Sequence, residues 1–269
     1  MFVWPYPPNW SQPFQYTLRY LTDIVTSRNG KQQRIAMRFE PRTSIEFACQ
    51  AKRGLLPQMQ RELFDELMNE IVVPHWPGRE FLTSAASAGS TTLVVSEQRT
   101  WMRPGAILCI IQDGKGENRV IASVAGTSVT LTSALAASWP SGSSVVEGLR
   151  GRMDQKISQR ALTSDVSALS VSVDVTPGSE APYPLTAQRP MFDGLEVFDF
   201  KTNWGTTPRV DIEDSRVLID YDIGVPTMLY PIGFPTISRR FEVIGKTEAH
   251  AREIESFFRR HRGRQREFF

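Results

Sequence analysis

The sequence predicts a β-rich α+β chain. It reads as two repeated β modules, each with one helix, plus an inserted small all-β barrel or sandwich. Three observations carry this. The chain resembles itself at an offset of 194 residues, with Val3, Asn9 and Trp10 recurring as Val197, Asn203 and Trp204. Two amphipathic stripes sit at corresponding places, one after each set of strands. Between the copies, five short apolar runs are spaced closely by turn residues.

The first copy opens with FQYTLRYLTDIV, which alternates well enough to be one strand. Asn29-Gly30 follows, a pair suited to the positive φ angles of a tight hairpin turn. RIAMRF then places Ile35, Met37 and Phe39 on one face. After the break at EPR, TSIEFACQA is a third strand. GLLPQMQRELFDELMNE spaces Leu55, Met59, Leu63 and Leu67 by four, a helical stripe with Pro57 in its first turn. The second copy runs in the same order. RVLIDYD is a strand, IGVPT a turn and TMLYPI an edge strand interrupted by Pro231. GFPT breaks the chain and RRFEVIG is a third strand. Thr247 caps a helix whose stripe is Ala251, Ile254 and Phe257/Phe258, and Gly263 ends it.

The matches fall on residues that fix backbone and core geometry. Pro41 meets Pro235, Phe47 meets Phe241 and Phe64 meets Phe258. Trp10 and Trp204, Phe47 and Phe241, and Phe64 and Phe258 are therefore expected as equivalent packing anchors. The predicted division is a first module over 1–78, an inserted β domain over 79–150, connecting strands and a Pro-rich linker over 151–190, and a second module over 191–269. In the insert, TTLVV, AILCIIQ, RVIASVA, SVTLTS and SSVVEGL are the strands, with DGKG, AGTS and WPSGS as turns. In the connecting segment, Leu169, Val171, Val173 and Val175 alternate with Ser and Asp, so one face is buried.

Composition narrows the function classes. The formal net charge of +2 removes any bulk electrostatic case for nucleic-acid binding. Cys49 and Cys109 lie in apolar strand-like runs and read as buried free thiols. The N-terminus lacks the basic and apolar regions of a signal peptide, and no apolar run approaches the ~20 residues of a membrane span. His75, His250 and His261 stand in no ligand spacing, so no metal site is expected. No nucleophile motif is present, and neither a catalytic residue nor a cofactor is expected. DGKGE (113–117) is a hairpin tip rather than a phosphate loop. The acids of DIED (211–214) and DYD (220–222) read as solvated strand faces or a weak cation site rather than an acid–base pair.

The sharpest charge feature is RRHRGRQR, with Arg259, Arg260, Arg262, Arg264 and Arg266. It has a phosphate-binding reading. It also suits a helix C-terminus and carboxylate pairing at a protein interface, which is the preferred reading. A third reading has these arginines line a channel through which DNA passes.

TDIVTSRNGKQQRIAMRFEPR (22–42) resembles a recurring segment of tail-tip proteins of long-tailed bacteriophages, and IESFFRRHRGRQREFF (254–269) is similar to another. The insert is similar to small β insertions in the same proteins. The resemblance implies a structural, non-enzymatic protein of the distal tail or baseplate hub, built of two tail-tube-like modules. It implies a homotrimeric or alternatively hexameric ring around the tail lumen. The implied partners are the tail tube protein and other tail-tip, tape-measure or fibre proteins. DNA would meet it only by passage through the lumen. The implied location is the virion, after assembly in the bacterial host cytoplasm, without a membrane anchor. In such proteins the chain continues past the aromatic strand, so the resemblance also implies a longer chain or a last strand finished differently. Two rival expectations stand beside it. One is host-surface carbohydrate binding, through exposed platforms at Trp101 or Trp139. The other is a cell-wall hydrolase, for which the sequence offers no catalytic set.

Overall fold

The computed structural model describes residues 1–27, 31–52, 54–163, 165–180, 184–214, 216–220, 222, 225–229 and 235–269. The chain is β-rich, with two helices among the described residues and one large antiparallel sheet. The Asn29-Gly30 turn, Pro231 and parts of the IGVPT and GFPT turns lie outside the described residues.

In the first compact unit, β1 (Gln15–Arg19) pairs with β4 (Arg42–Lys52), and β4 is followed by α1 (Leu56–Glu66). The hairpin β2 (Thr22–Thr26) and β3 (Gln32–Ala36) lies between β1 and β4 in sequence. The expected single strand FQYTLRYLTDIV is therefore two strands. β1 takes its hydrogen bonds from β4 and β2 takes its own from β3, so the alternation runs unbroken through a change of partner. The sheet grows on through β5 (Ile71–Phe81), β6 (Thr92–Val94), β7 (Ile107–Gln112), β8 (Lys115–Ala125), β9 (Ser128–Leu131), β10 (Ser144–Met153), β11 (Ser158–Ala161) and β12 (Val166–Val175). Its order is β1-β4-β12-β10-β7-β8-β9-β6, with β5 on β10 and β11 on β12.

One core of this unit joins Trp4, Tyr6, Ile45, Phe47, Cys49 and Met59 to Leu169, Val171 and Val173. The strict alternation of β12 thus delivers one buried face, as expected. Pro57 sits in the first turn of α1, and Met59 is its buried residue.

The insert keeps its own core: Leu82, Leu93, Trp101, Leu108, Ile121, Leu131, Trp139 and Val145 pack together. All five expected strands are present. Leu82 bridges Val95, and its N–H donates to the Ser143 carbonyl, while Phe81 pairs with Ser144. The path β10-β7-β8-β9-β6 therefore returns to β10 and closes a small barrel. The Asp113-Gly114 tip between β7 and β8 has two residues at positive φ, the geometry of a tight hairpin.

The second compact unit contains residues 20–41 and 184–269. The hairpin β2–β3 therefore groups with the C-terminal part of the chain, so the expected first module 1–78 is split by its contacts. The remaining elements are β13 (Met191–Phe192), β14 (Leu195–Glu196), β15 (Arg209–Glu213), β16 (Val217–Ile219), β17 (Thr227–Leu229), β18 (Thr236–Arg240) and α2 (Glu248–His261). β15 takes in most of the DIED run (211–214), whose acids are expected on a strand face. β18 begins three residues before the expected RRFEVIG run.

The two ends of the chain share their pairing at the 194-residue offset. Gln15 pairs with Glu46 and Arg19 with Arg42; Arg209 pairs with Arg240 and Glu213 with Thr236. Ile24 pairs with Arg34, and Leu218 with Met228. The isolated bridge Pro8–Cys49 recurs as Thr202–Val243. The Asn9 N–H donates to the Ala48 carbonyl, and the Asn203 N–H to the Glu242 carbonyl.

Candidate functional site

The arginine-rich end of α2 is built on a short, well-anchored helix. Thr247 Oγ1 accepts from the His250 N–H at 3.2 Å, which satisfies one of the free amides of the first turn. At the other end Arg262 adopts the left-handed conformation and Gly263 follows at positive φ, closing the helix. Phe257 is the buried apolar residue of α2 and packs edge-on against Phe198, Phe200 and Phe268.

The five arginines separate by role. Arg260 is nearly buried and grips Glu196 with two guanidinium nitrogens, at 2.5 and 3.1 Å. It also donates to the Thr186 carbonyl at 3.0 Å. The Arg189 backbone N–H donates to the same carboxylate at 2.8 Å. Burial alone would push the Glu196 carboxyl up. The hydrogen bonds from Arg260 and Arg189, with the charges of Arg260 and His261, outweigh it and hold the carboxyl below its ordinary value. Arg259 pairs with Glu255 at 2.9 Å along the helix. Arg260 and Arg259 therefore hold the unit together, and the structure removes Arg260 from the expected surface patch. Arg262 lies over the Phe39 ring at 5.0 Å. Arg264 and Arg266 are exposed. With Ile24, Arg34, Glu267 and Phe269 they line a groove of about 470 Å³.

The residues facing this end of α2 come from the hairpin. Tyr20 meets Phe258 edge-on, with ring centres 5.6 Å apart, and burial raises the Tyr20 pKa. A Cβ built on Gly263 would lie 3.1 Å from Tyr20 Cβ. Arg34 pairs with Glu267 at 3.4 Å. Tyr20, Phe39, Arg34 and Glu196 were not singled out from the sequence. A hairpin bound to a helix more than 200 residues away leaves no local signal.

The expected packing anchors also separate. Phe47 is buried and stacks on Phe14, whereas its counterpart Phe241 is 44% exposed and contacts Phe198. Trp10 and Trp204 are 56% and 81% exposed, so neither is a core anchor within the chain. The part that recurs is the asparagine before each. Asn9 Oδ1 accepts from the Ser11 N–H and Asn203 Oδ1 from the Gly205 N–H, the same turn in both places. Phe64 is 87% exposed, while its counterpart Phe258 is 37% exposed and meets Tyr20 edge-on. In the N-terminal segment Trp4 and Tyr6 are buried, so that segment lies across its own core.

The expected tryptophan platforms are absent. Trp101 is buried and donates to the Gly78 carbonyl at 2.8 Å; Trp139 is buried and donates to Glu117 at 2.9 Å. Both indoles seal the barrel, which satisfies their N–H groups. Cys49 and Cys109 are free and buried; burial pushes the Cys49 thiol up to about 12 and raises that of Cys109. Asp211 and Asp214 pair with Arg209 and Arg216 on exposed faces. Among the described residues, no group of three or more His, Cys, Asp or Glu side chains is arranged to hold a metal. No helix of the described residues is long and apolar enough to cross a membrane.

No protein-family model matches the chain, and no curated protein matches it.

Proposed function

We propose that the chain is a non-enzymatic structural protein of a phage tail tip, of the distal-tail or hub type. It is made of two tail-tube-like repeats and assembles as a homotrimeric ring around the tail lumen. The observation that carries this reading is the common register of the two ends of the chain. Two strand pairs, a bridge, a backbone hydrogen bond and an asparagine turn all recur at one offset, although few side chains match. A repeat that keeps its backbone ladder while its surface diverges suits a part with different neighbours on each copy. Rings close through head-to-tail contacts between two unlike faces, and a tandem repeat makes half of those contacts covalent. Three chains then present six similar modules, which lets a threefold tip meet a sixfold tube. The tail tube and more distal tip, tape-measure or fibre proteins are the proposed partners, and the virion the proposed location.

Native mass spectrometry of the purified chain, alone and with tail-tube protein, tests the reading. A trimer whose images show six similar lobes is expected. A chain that stays monomeric under both conditions would remove it.

A further inference from the structure

The arginines at the end of α2 leave a remainder that holding the unit together does not use. Arg259 and Arg260 are committed to Glu255 and Glu196, and Arg262 lies over the Phe39 ring. Arg264 and Arg266 are exposed, and their side chains make no hydrogen bond or ion pair among the described residues. Both line the groove of about 470 Å³, whose lining residues all belong to the second compact unit.

The groove is unbalanced in charge. Arg34, Arg264 and Arg266 bring three guanidinium groups to it, and Glu267 brings the one side-chain carboxylate. Glu267 is itself 61% exposed and reaches only Nη2 of Arg34, at 3.4 Å. The Arg34 Nε–H, shielded from solvent, has no hydrogen-bond partner. The Phe269 main-chain oxygen is taken by the Phe198 N–H. Ile24, Leu195 and Phe269 add apolar walls beside these cations. Free cations against apolar walls call for an anion that carries an apolar part.

We propose that this groove docks an acidic segment of a partner protein, in which carboxylates flank an apolar side chain. The carboxylates pair with Arg264 and Arg266, and the apolar side chain enters between Ile24, Leu195 and Phe269. The contact goes beyond the ring reading and stands without it.

Three considerations favour this occupant. A guanidinium fork matches a carboxylate bidentately and is weakly hydrated, so the pair forms readily beside apolar surface. The volume lies within the ~300–1,000 Å³ of sites that enclose a few chemical groups, too small for a long charged strand. Nucleic-acid affinity is built by neutralising many phosphates. Two free arginines would give a salt slope of only about −1.4 on a single strand, and the chain's net charge of +2 adds little field.

Fluorescence anisotropy of the full chain with a dye-tagged peptide alternating Glu with Phe tests the proposal. Saturable binding is expected. A Gln-for-Glu peptide and a Ser-for-Phe peptide should each bind about tenfold more weakly or worse. Arg264→Glu with Arg266→Glu should weaken the parent peptide about tenfold or more. Lys156→Glu with Arg160→Glu changes two exposed cations of the first unit, alters net charge equally and should leave binding unchanged. Arg264 and Arg266 have no partners to lose, so their reversal should keep the parent melting temperature. Arg264→Gln with Arg266→Gln gives the same readout without introducing charge. No saturable binding, equal binding of either control peptide, or equal loss in the two reversed pairs overturns the proposal. A single-stranded oligonucleotide that binds more tightly than the Glu peptide at the same salt also overturns it, and gives the groove to nucleic acid.

Discussion

β4 and β18 hold equivalent places in the chain and opposite places in their surroundings. Each pairs with a preceding strand in the same register, Arg19 with Arg42 and Glu213 with Thr236. β4 has β12 on its other edge, and one of its faces lies in a core with Trp4, Met59 and Val171. Among the described residues β18 pairs only with β15, and Ile237 on it is exposed. The difference teaches that register is set locally, by the turn and the alternation, whereas burial is set by what arrives later. The same register therefore accompanies a closed core in one place and an exposed face in the other.

The comparison breaks most sharply at its aromatic pair. Phe47→Ala removes a buried ring and is expected to cost about 3–5 kcal/mol, while Phe241→Ala at the equivalent position costs about 1 kcal/mol or less in the isolated chain. Urea unfolding of the two variants measures both; equal losses would mean that the second unit has a core as complete as the first. A cost of a few kcal/mol is also expected for Glu196→Ala, which strands the nearly buried Arg260 and should unfold the second unit first. This locates the stability of that unit in an ion pair and a phenylalanine cluster rather than in a sheet.

Acid sharpens the same point. The folded Glu196 carboxyl titrates below its unfolded value, so its contribution is complete above the unfolded pKa of about 4.3. It fades as pH falls through the folded value. Thermal unfolding between pH 5 and 2, ranges chosen to bracket that ~4.3, should show an acid-labile second unit, and Glu196→Gln should flatten that dependence. The smallest effects belong to the shared turn. Asn9→Ala loses the turn hydrogen bond, worth about 0.5–1.5 kcal/mol. Asn203→Ala loses the same bond and also the Nδ2 bonds to Thr206 and Glu242, so melting curves should show the larger loss at Asn203.

Much of the architecture was legible because it is written in short windows. The five barrel strands, the alternating face of β12, the Thr247 cap and the Asp113-Gly114 tip each need fewer than a dozen residues to specify them. The candidate site was less legible. FQYTLRYLTDIV alternates without interruption, and nothing within it marks the change of partner after Arg19. RRHRGRQR reads as one basic run, yet its members divide between Glu196, Glu255, the Phe39 ring and solvent. The acids and rings that divide it lie far away in sequence. The Asn-Trp echo pointed to the right turn through the wrong residue, because a side chain as large as tryptophan draws attention that the asparagine hydrogen bond warrants.

The barrel enters the sheet at Phe81 and leaves it at Ser144, and these two residues are partners in register. Seen along the backbone, the whole barrel is the loop of a β5–β10 hairpin. The entropy of closing a loop grows only with the logarithm of its length, about 0.6 kcal/mol per doubling. A lineage can therefore lengthen, shorten or exchange the barrel while the rungs from Ile71 to Pro74 keep their partners. The ladder of β5 and β10 and the length of the loop between them are thus separate quantities.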